Sequence, residues 1–285
     1  MQAPKENQFA MSSATPHLEI LISTCNARLA QVLSCLLPAN PAIGYIVIHQ
    51  IFAENTEQSW QDAAARLKAR ADVCLLQTAS RGLAKSRNMA LRAATAPLVL
   101  LADDDITFTP ELLAIVTGAF AALPAADVIT FRFTNEQGQH RKRYPTAIVQ
   151  RSYRNFFKVS SVEVALRREA LQSSGVRFDE RFGLGAEYPV SEENIFLADL
   201  HKAGKKIYFY PADLLVHPDE TSGANWNNTY LRARGALFRR VFGWVGLPLL
   251  LLFIAKHRRH VRAQAGFVKG SVTAIKSFIS FGGKA

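Results

Sequence analysis

Three consecutive carboxylates, Asp103, Asp104 and Asp105, directly follow five apolar residues at 98–102. Adjacent anions repel one another, and each is costly to desolvate. A hard divalent cation would neutralise them, because Mg2+ and Mn2+ prefer oxygen ligands and share them with substrate phosphates. The plain alternative is helix capping by Asp105 or a solvated acidic surface. The apolar run ahead of the triplet weighs against it. A second cluster is Arg81-Gly-Leu-Ala-Lys-Ser-Arg-Asn88. Gly82 opens a helix there, and Lys85 and Arg87 fall in its first turns, which suits a phosphate or nucleotide. The same residues also read as an ordinary capped surface helix. A third cluster, Ser191-Glu192-Glu193-Asn194, follows a loop at 178–189 that contains Gly183 and Gly185. Acids at a helix start are favoured by the helix dipole alone. Their chemical reading is a general base for a hydroxyl group. His217 closes the run LLVH. An isolated histidine is most often structural; its alternative is metal ligation.

These residues must be positioned by an α/β framework. Up to about residue 130 strands alternate with helices: strands at 18–23, 43–49, 73–76 and 98–102, helices at 27–37, 58–69 and 83–94. Such alternation implies a parallel sheet covered on both faces, with ligands beyond the carboxyl ends of its strands. The aspartates stand at that end of the fourth strand. Further on we expect a helix at 110–123, strands at 128–133, 162–166 and 207–210, and a helix at 191–203. A basic irregular segment, GQHRKRYP, occupies 138–145.

The net charge of +11 is confined to one end: residues 221–285 carry 11 Lys and Arg and no acid, while residues 1–220 balance at 23 of each sign. Within this tail, 241–255 is a 15-residue apolar run, shorter than the roughly 20 residues a spanning helix needs, and it contains Pro248 and two glycines. Beyond it Val261, Ala265, Val268, Val272, Ile275 and Ile279 recur at spacings of four and three, which predicts one amphipathic helix with an apolar stripe. The tail fits an interfacial helix on an anionic membrane surface, through residues 237–285. The alternative is a terminal helix pair packed on the domain. Nucleic acid is disfavoured, because the basic residues interleave with long aliphatics and lack stacking groups. The odd count of three cysteines reads as reduced thiols, and the polar N-terminus lacks a secretory signal. We therefore expect a disordered lead-in at 1–16, a catalytic or binding domain at 17–225, a basic helical tail at 226–285, and a cytoplasmic location, peripheral on the inner face of the membrane.

The ordered series ISTCN, RGLAKSRN, LLADDD, FGLG, EEN and VH resembles the inverting glycosyltransferases of family 2. The resemblance covers roughly residues 17–225. It implies the GT-A fold: a mixed, mostly parallel sheet flanked by helices. It implies a Mn2+- or Mg2+-dependent transfer of a sugar from a nucleotide-diphosphate donor, UDP-type by default, to a saccharide or lipid-linked acceptor, in cell-surface polysaccharide or lipopolysaccharide synthesis. By that resemblance Asp103–Asp105 is the Asp-x-Asp motif, with Asp105 and His217 on the metal. Thr24, Gln50, Arg81, Gly82, Lys85, Arg87, Asn88, Asp103 and Asp104 would bind the donor. Glu193 would be the base with Glu192 as its substitute, and Gly183 and Gly185 would line the sugar and acceptor cleft. Where the family places an aromatic and an Asp against the base, this chain has Cys25 and His49-Gln50. The late Gln/Arg-x-x-Arg-Trp motif of processive members is missing, which favours transfer of a single sugar.

Two other readings use the same residues. DDDIT also fits the Asp-x-Asp-x-Thr pattern of haloacid-dehalogenase-like phosphatases, with Asp103 as nucleophile; three strands precede it here and no later Asp pair follows. A non-catalytic nucleotide- or carbohydrate-binding module would keep the fold without turnover.

Overall fold

The computed structural model describes residues 15–52, 57–218 and 226–282. Most of the expected lead-in, residues 1–14, lies outside them. Strand β1 (Leu18–Cys25) pairs in parallel with β2 (Ile43–Gln50) and with β4 (Leu98–Asp103), and β2 pairs in parallel with β3 (Val73–Thr78). The sheet continues through β8 (Val164–Arg167), antiparallel to both β4 and β6 (Val128–Thr134), then β9 (Ile207–Val216), parallel to β6. Two short strands, β5 (Thr107–Phe108) and β7 (Val149–Gln150), pair antiparallel to β9. The spatial order is β3-β2-β1-β4-β8-β6-β9-β5. The parallel half is the part that strand–helix alternation announces. The antiparallel half, including both two-residue strands, carries no such signal in the sequence.

Both faces of the sheet are buried. Ile20, Ile22, Val47 and Leu100 pack on one side with α1 (Leu29–Cys35), α2 (Glu57–Lys68) and α4 (Leu112–Ala122). Leu21, Ile46, Ile48, Val99 and Leu101 pack on the other with α3 (Leu83–Ala93) and α7 (Glu192–Lys202). Successive strand residues point to opposite faces, so a strand buried on both sides must be apolar throughout, as β1 and β4 nearly are. The register Ser23↔Asp103, Cys25↔Gln50 and Gln50↔Thr78 brings the carboxyl ends of the four parallel strands to one edge. The short helices α5 (Tyr153–Phe156) and α6 (Arg168–Ser174) flank β8 in the chain.

The tail folds as four helices: α8 (Asn228–Phe242), α9 (Gly246–Lys256), α10 (Arg258–Ala265) and α11 (Phe267–Ser280). Residues Asn228–Lys256 form the one run among the described residues that is long and apolar enough to cross a membrane by length and composition. Within it, a 3-10 turn at Gly243–Val245 separates α8 from α9. The expected single stripe of 261–279 is interrupted at Gly266, where φ is +73°. Its orientation also differs from a core-facing one. Gly270, Ala274, Ser277 and Phe278 are buried, whereas Val268, Val272 and Ile279 are exposed. The reason is close approach: a Cβ on Gly235 of α8 would lie 2.0 Å from the Ala274 carbonyl oxygen, and one on Gly270 would lie 2.6 Å from a Leu231 methyl group. Small residues bring α8 and α11 together on the face that also buries Phe278, and Val268, Val272 and Ile279 are left outward. Ion pairs tie the tail to the rest: Arg240 to Asp199 (2.7 Å) and Asp179 (2.8 Å), and Arg232 to Glu187 (2.5 Å).

This packing predicts that Gly235→Ala forces the two helices apart. The expected cost is about 1–3 kcal/mol, typical of overpacking, read as a lower denaturation midpoint and faster proteolysis within 226–282. A midpoint equal to wild type would show that the contact is looser than it stands here.

Candidate functional site

The carboxyl edge of the parallel strands opens into a cleft of about 740 Å3. Its floor carries the acidic triplet, and each of the three aspartates meets a different partner. Asp103 accepts from Arg87 Nη2 (3.0 Å). Asp104, 4% exposed, accepts from the Thr24 hydroxyl (2.6 Å) and is gripped by the Arg28 guanidinium, whose Nε lies 3.0 Å from Oδ2. Arg28 also reaches Asp105 Oδ2 (3.1 Å). The other oxygen, Asp105 Oδ1, is buried with no hydrogen-bond partner and stands 3.7 Å from His217 Nε2. Two cations and one hydroxyl therefore offset the mutual repulsion of the triplet, and one oxygen is left over. The carboxylates in turn raise the pKa of Arg28, chiefly through its hydrogen bond with Asp104.

Arg87 is 1% exposed and joins two walls of the cleft. Its Nη1 donates to Glu192 (2.7 Å) at the start of α7, while Nη2 holds Asp103 at the end of β4. Burial opposes its charge, but Asp103, Glu192 and Glu193 more than offset this and leave its pKa raised. The α7 start is strained: Ser191 has φ +80°, rare for a residue with a side chain, and its buried Oγ lacks a partner. Glu193 is half-buried as a residue, yet its carboxyl sits in a poorly solvated corner beside Glu192. Burial first, and the charge of Glu192 second, push its pKa up to about 8.

The loop bearing Gly183 and Gly185 docks on the start of α3. Leu83 N–H donates to the Leu184 carbonyl (2.8 Å), and a Cβ on Gly185 would crowd Arg81 and the Gly82 backbone at 3.3–3.4 Å. Gly82 has φ +129°, which favours glycine. Gln50 supports this turn from β2 by donating to the carbonyls of Ser80 (2.9 Å) and Gly82 (3.2 Å).

Of the residues the sequence singles out, Thr24, Gln50, Arg81, Gly82, Arg87, Asp103, Asp104, Asp105, Gly185, Glu192, Glu193 and His217 line this cleft. Three do not. Lys85 is exposed and does not line the cleft. Asn88 is buried and its amide exchanges hydrogen bonds with the Phe178 backbone (2.9 and 3.0 Å). Gly183 packs behind the wall, where a Cβ would meet the Glu192 side chain at 3.2 Å. Sequence reasoning missed Arg28, Lys142, Tyr230 and Arg234, all of which line the cleft. Arg28 follows the end of β1 by three residues, a place that strand-end reasoning points to. Lys142 belongs to the basic segment 138–145 and pairs with the buried Glu163 (2.5 Å). Tyr230 and Arg234 come from α8, so the tail helps to build the cleft.

A model of glycosyl transferase family 2 matches residues 20–173, just over half of the chain. The chain belongs to that family. No curated protein matches the sequence of this glycosyltransferase. Among solved structures it resembles S. aureus TarS 1–349 in complex with UDP-GlcNAc, at a TM-score of 0.65 and 16% identity, over 92% of this chain and 80% of that one. It also resembles the mannosyltransferase PcManGT from Pyrobaculum calidifontis in complex with GDP-Man and Mn2+, at a TM-score of 0.55 and 13% identity, over 96% and 90%. These likenesses are of fold, the GT-A fold. Membership of a glycosyltransferase family sets aside the phosphatase reading of Asp103.

The pKa of Glu193 sets a sign. Its folded-state value lies above the ordinary 4.5, so the native state holds a proton that the unfolded chain releases. Stability from this group is present below about 4.5 and is lost as pH rises to about 8. Glu193→Gln should thus gain stability relative to wild type across that window, with a constant gap above it, as measured by denaturant midpoints at pH 5, 7 and 9. A gap that does not grow with pH would place the carboxyl in good solvent.

Proposed function

We propose that this glycosyltransferase moves a single sugar from a nucleoside-diphosphate donor, UDP-type by default, to a hydroxyl of a saccharide or lipid-linked acceptor, with inversion at the anomeric carbon. The observation that carries the reading is the buried, unpartnered Asp105 Oδ1 facing His217 Nε2, in the same cleft as the desolvated Glu193. One carboxylate oxygen and one imidazole nitrogen suit Mn2+ or Mg2+, and no group of three ligating side chains exists among the described residues. The ion would complete its coordination with donor phosphate oxygens and water, which is the habit of these cations. Asp105 and His217 would hold it, and when bound it supplies charge neutralisation for the departing diphosphate.

The chain's own residues do the rest. Arg28 and Arg81 add positive charge along the path of the leaving group. Thr24, Gln50 and Gly82 shape the nucleotide side, and Asp103 fixes the sugar side through its bond to Arg87. Glu193 accepts the proton of the acceptor hydroxyl, whose oxygen forms the new bond to the anomeric carbon as the bond to the diphosphate breaks. A base with a pKa near 8 in the free enzyme is poised close to neutral pH, where proton transfer in the transition state is most effective. Glu192, held by Arg87, keeps the start of α7 in place.

The tail supports a peripheral site on the cytoplasmic face of an anionic membrane, with an acceptor of the cell-surface polysaccharide or lipopolysaccharide type. Trp244, Val245, Leu252, Val268, Val272 and Ile279 are all exposed, at 42–75%. They lie in a segment with 11 basic residues and no acid. An apolar surface ringed by cations is complementary to a bilayer of anionic lipids.

Asp105→Ala should abolish metal-stimulated transfer with no change in the far-ultraviolet spectrum; full activity of that variant in a chelator would remove the metal from the account. Glu193→Gln should lower kcat by about 10²-fold or more, and wild-type kcat/KM should rise with pH towards an apparent pKa near 8 set by the Glu192–Glu193 pair. For the tail, Leu252→Asp combined with Val268→Asp should release the protein from sedimenting vesicles of anionic lipid while it stays bound to donor; unchanged sedimentation defeats the membrane reading.

A further inference from the structure

Beside Glu193 the cleft holds two polar groups that no part of the reaction described above uses. Arg234 of α8 lines the cleft, and its Nε is buried without a hydrogen-bond partner. Its Nη1 reaches only Asn194 Oδ1, at 3.4 Å, and its guanidinium lies over the Tyr230 ring, 4.8 Å from the centroid. It makes no ion pair among the described residues, unlike its neighbours Arg232 and Arg240, which each meet a carboxylate within 2.8 Å. Ser191 is 3% exposed, lines the same cleft, and its Oγ has no partner. These two residues bracket Glu193: one precedes it by two positions at a strained backbone, the other comes from the helix packed on α7. The other charged groups nearby are already matched. Glu192 is bound to Arg87, and Lys142 is paired with Glu163.

A guanidinium without an ion pair and a hydroxyl without a partner in a partly desolvated pocket make a seat for an oxyanion. Arginine presents a planar fork that matches carboxylate or phosphate, and charge-assisted bonds there are stronger than neutral ones. We propose that the acceptor carries an anionic group, a phosphate or a carboxylate, bound by Arg234 and Ser191 next to the hydroxyl that Glu193 deprotonates. This deepens the transferase reading and rests on it for the word acceptor. The seat lies apart from the Asp105–His217 pair that would receive the donor phosphates. It also gives the tail a second use, because α8 then contributes directly to acceptor choice.

The test is calorimetric titration of the full chain, with and without UDP and Mn2+, using glucose, glucose 6-phosphate and glucuronate as probes. At least one charged sugar should bind about 10-fold or more tightly than glucose, the scale of one charge-assisted hydrogen bond. Arg234→Gln should remove that preference, with UDP affinity within about twofold of wild type, and Arg234→Lys, which keeps the charge but loses the planar fork, should restore only part of it. The phosphate and carboxylate arms distinguish the two anions. Equal binding of all three sugars, no saturable binding of either charged sugar, or an unchanged preference in Arg234→Gln each overturns the proposal. So does a loss of UDP affinity as large as the loss for the sugar, which would place Arg234 on the donor. If UDP and Mn2+ fail to bind at all, the donor reading falls instead, and the nucleotide-free titrations still decide the anion seat.

Discussion

A buried guanidinium holds the two walls of the cleft at a fixed separation. Arg87 reaches Asp103 at the end of β4 with one nitrogen and Glu192 at the start of α7 with another. Its charge is 1% exposed, so it cannot be exchanged for hydration if either partner leaves. Breaking a pair of this kind by removing one member typically costs about 3–5 kcal/mol, because the remaining charge stays buried. The end of β4, which Asp104 and Asp105 follow, and the start of α7, which carries Glu193, are therefore held relative to each other by one side chain. The strain at Ser191 is tolerated at that junction, since the helix following it is held by the same ion pairs and by the aromatic stack of Phe178 on Phe196 (4.1 Å).

The acidic triplet becomes intelligible once its three environments are separated. Asp103 is neutralised by Arg87 and Asp104 by Arg28 with help from Thr24. Asp105 shares the edge of Arg28 and faces His217 with its remaining oxygen. Three adjacent residues at the end of a strand splay in different directions, so each finds its own partner. The cost of clustering like charges is thereby confined to the one oxygen that has none. On the opposite wall Glu193 experiences the reverse treatment: no cation is bonded to it, and desolvation holds its proton.

The tail joins two requirements in one helical unit. Around a core of Leu231, Phe238, Leu250, Ile254 and Phe278, its backbones approach at Gly235, Gly246 and Gly270 closely enough that a methyl group would clash. Leu252, Val268, Val272 and Ile279 of the same unit face outward, towards solvent in the isolated chain. Because Tyr230 and Arg234 of the same unit line the cleft, whatever engages the outer surface acts on a structure continuous with the site.

Local pattern was enough to place β1 to β4, α3 and α7, and the resemblance to glycosyltransferase family 2 implied that Asp103–Asp105, Arg87, Glu192, Glu193 and His217 share one cleft, which they line. Strand periodicity and the parallel connection fix which end of β1 to β4 is open, so Thr24, Gln50 and the aspartates at those ends must meet. Three things depended on contacts between residues distant in the chain. One is the partner of each charge: Arg28 lies 76 residues from Asp104, and no local rule pairs them. Another is the antiparallel half of the sheet, where β8 inserts between β4 and β6. The last is the direction of the tail's apolar stripe. Spacing of four and three shows that Val268, Val272 and Ile279 share a helix face. Only the clash distances at Gly235 and Gly270 decide that this face looks away from the core, because the backbones approach along the face of Gly270, Ala274 and Phe278, which turns Val268, Val272 and Ile279 outward.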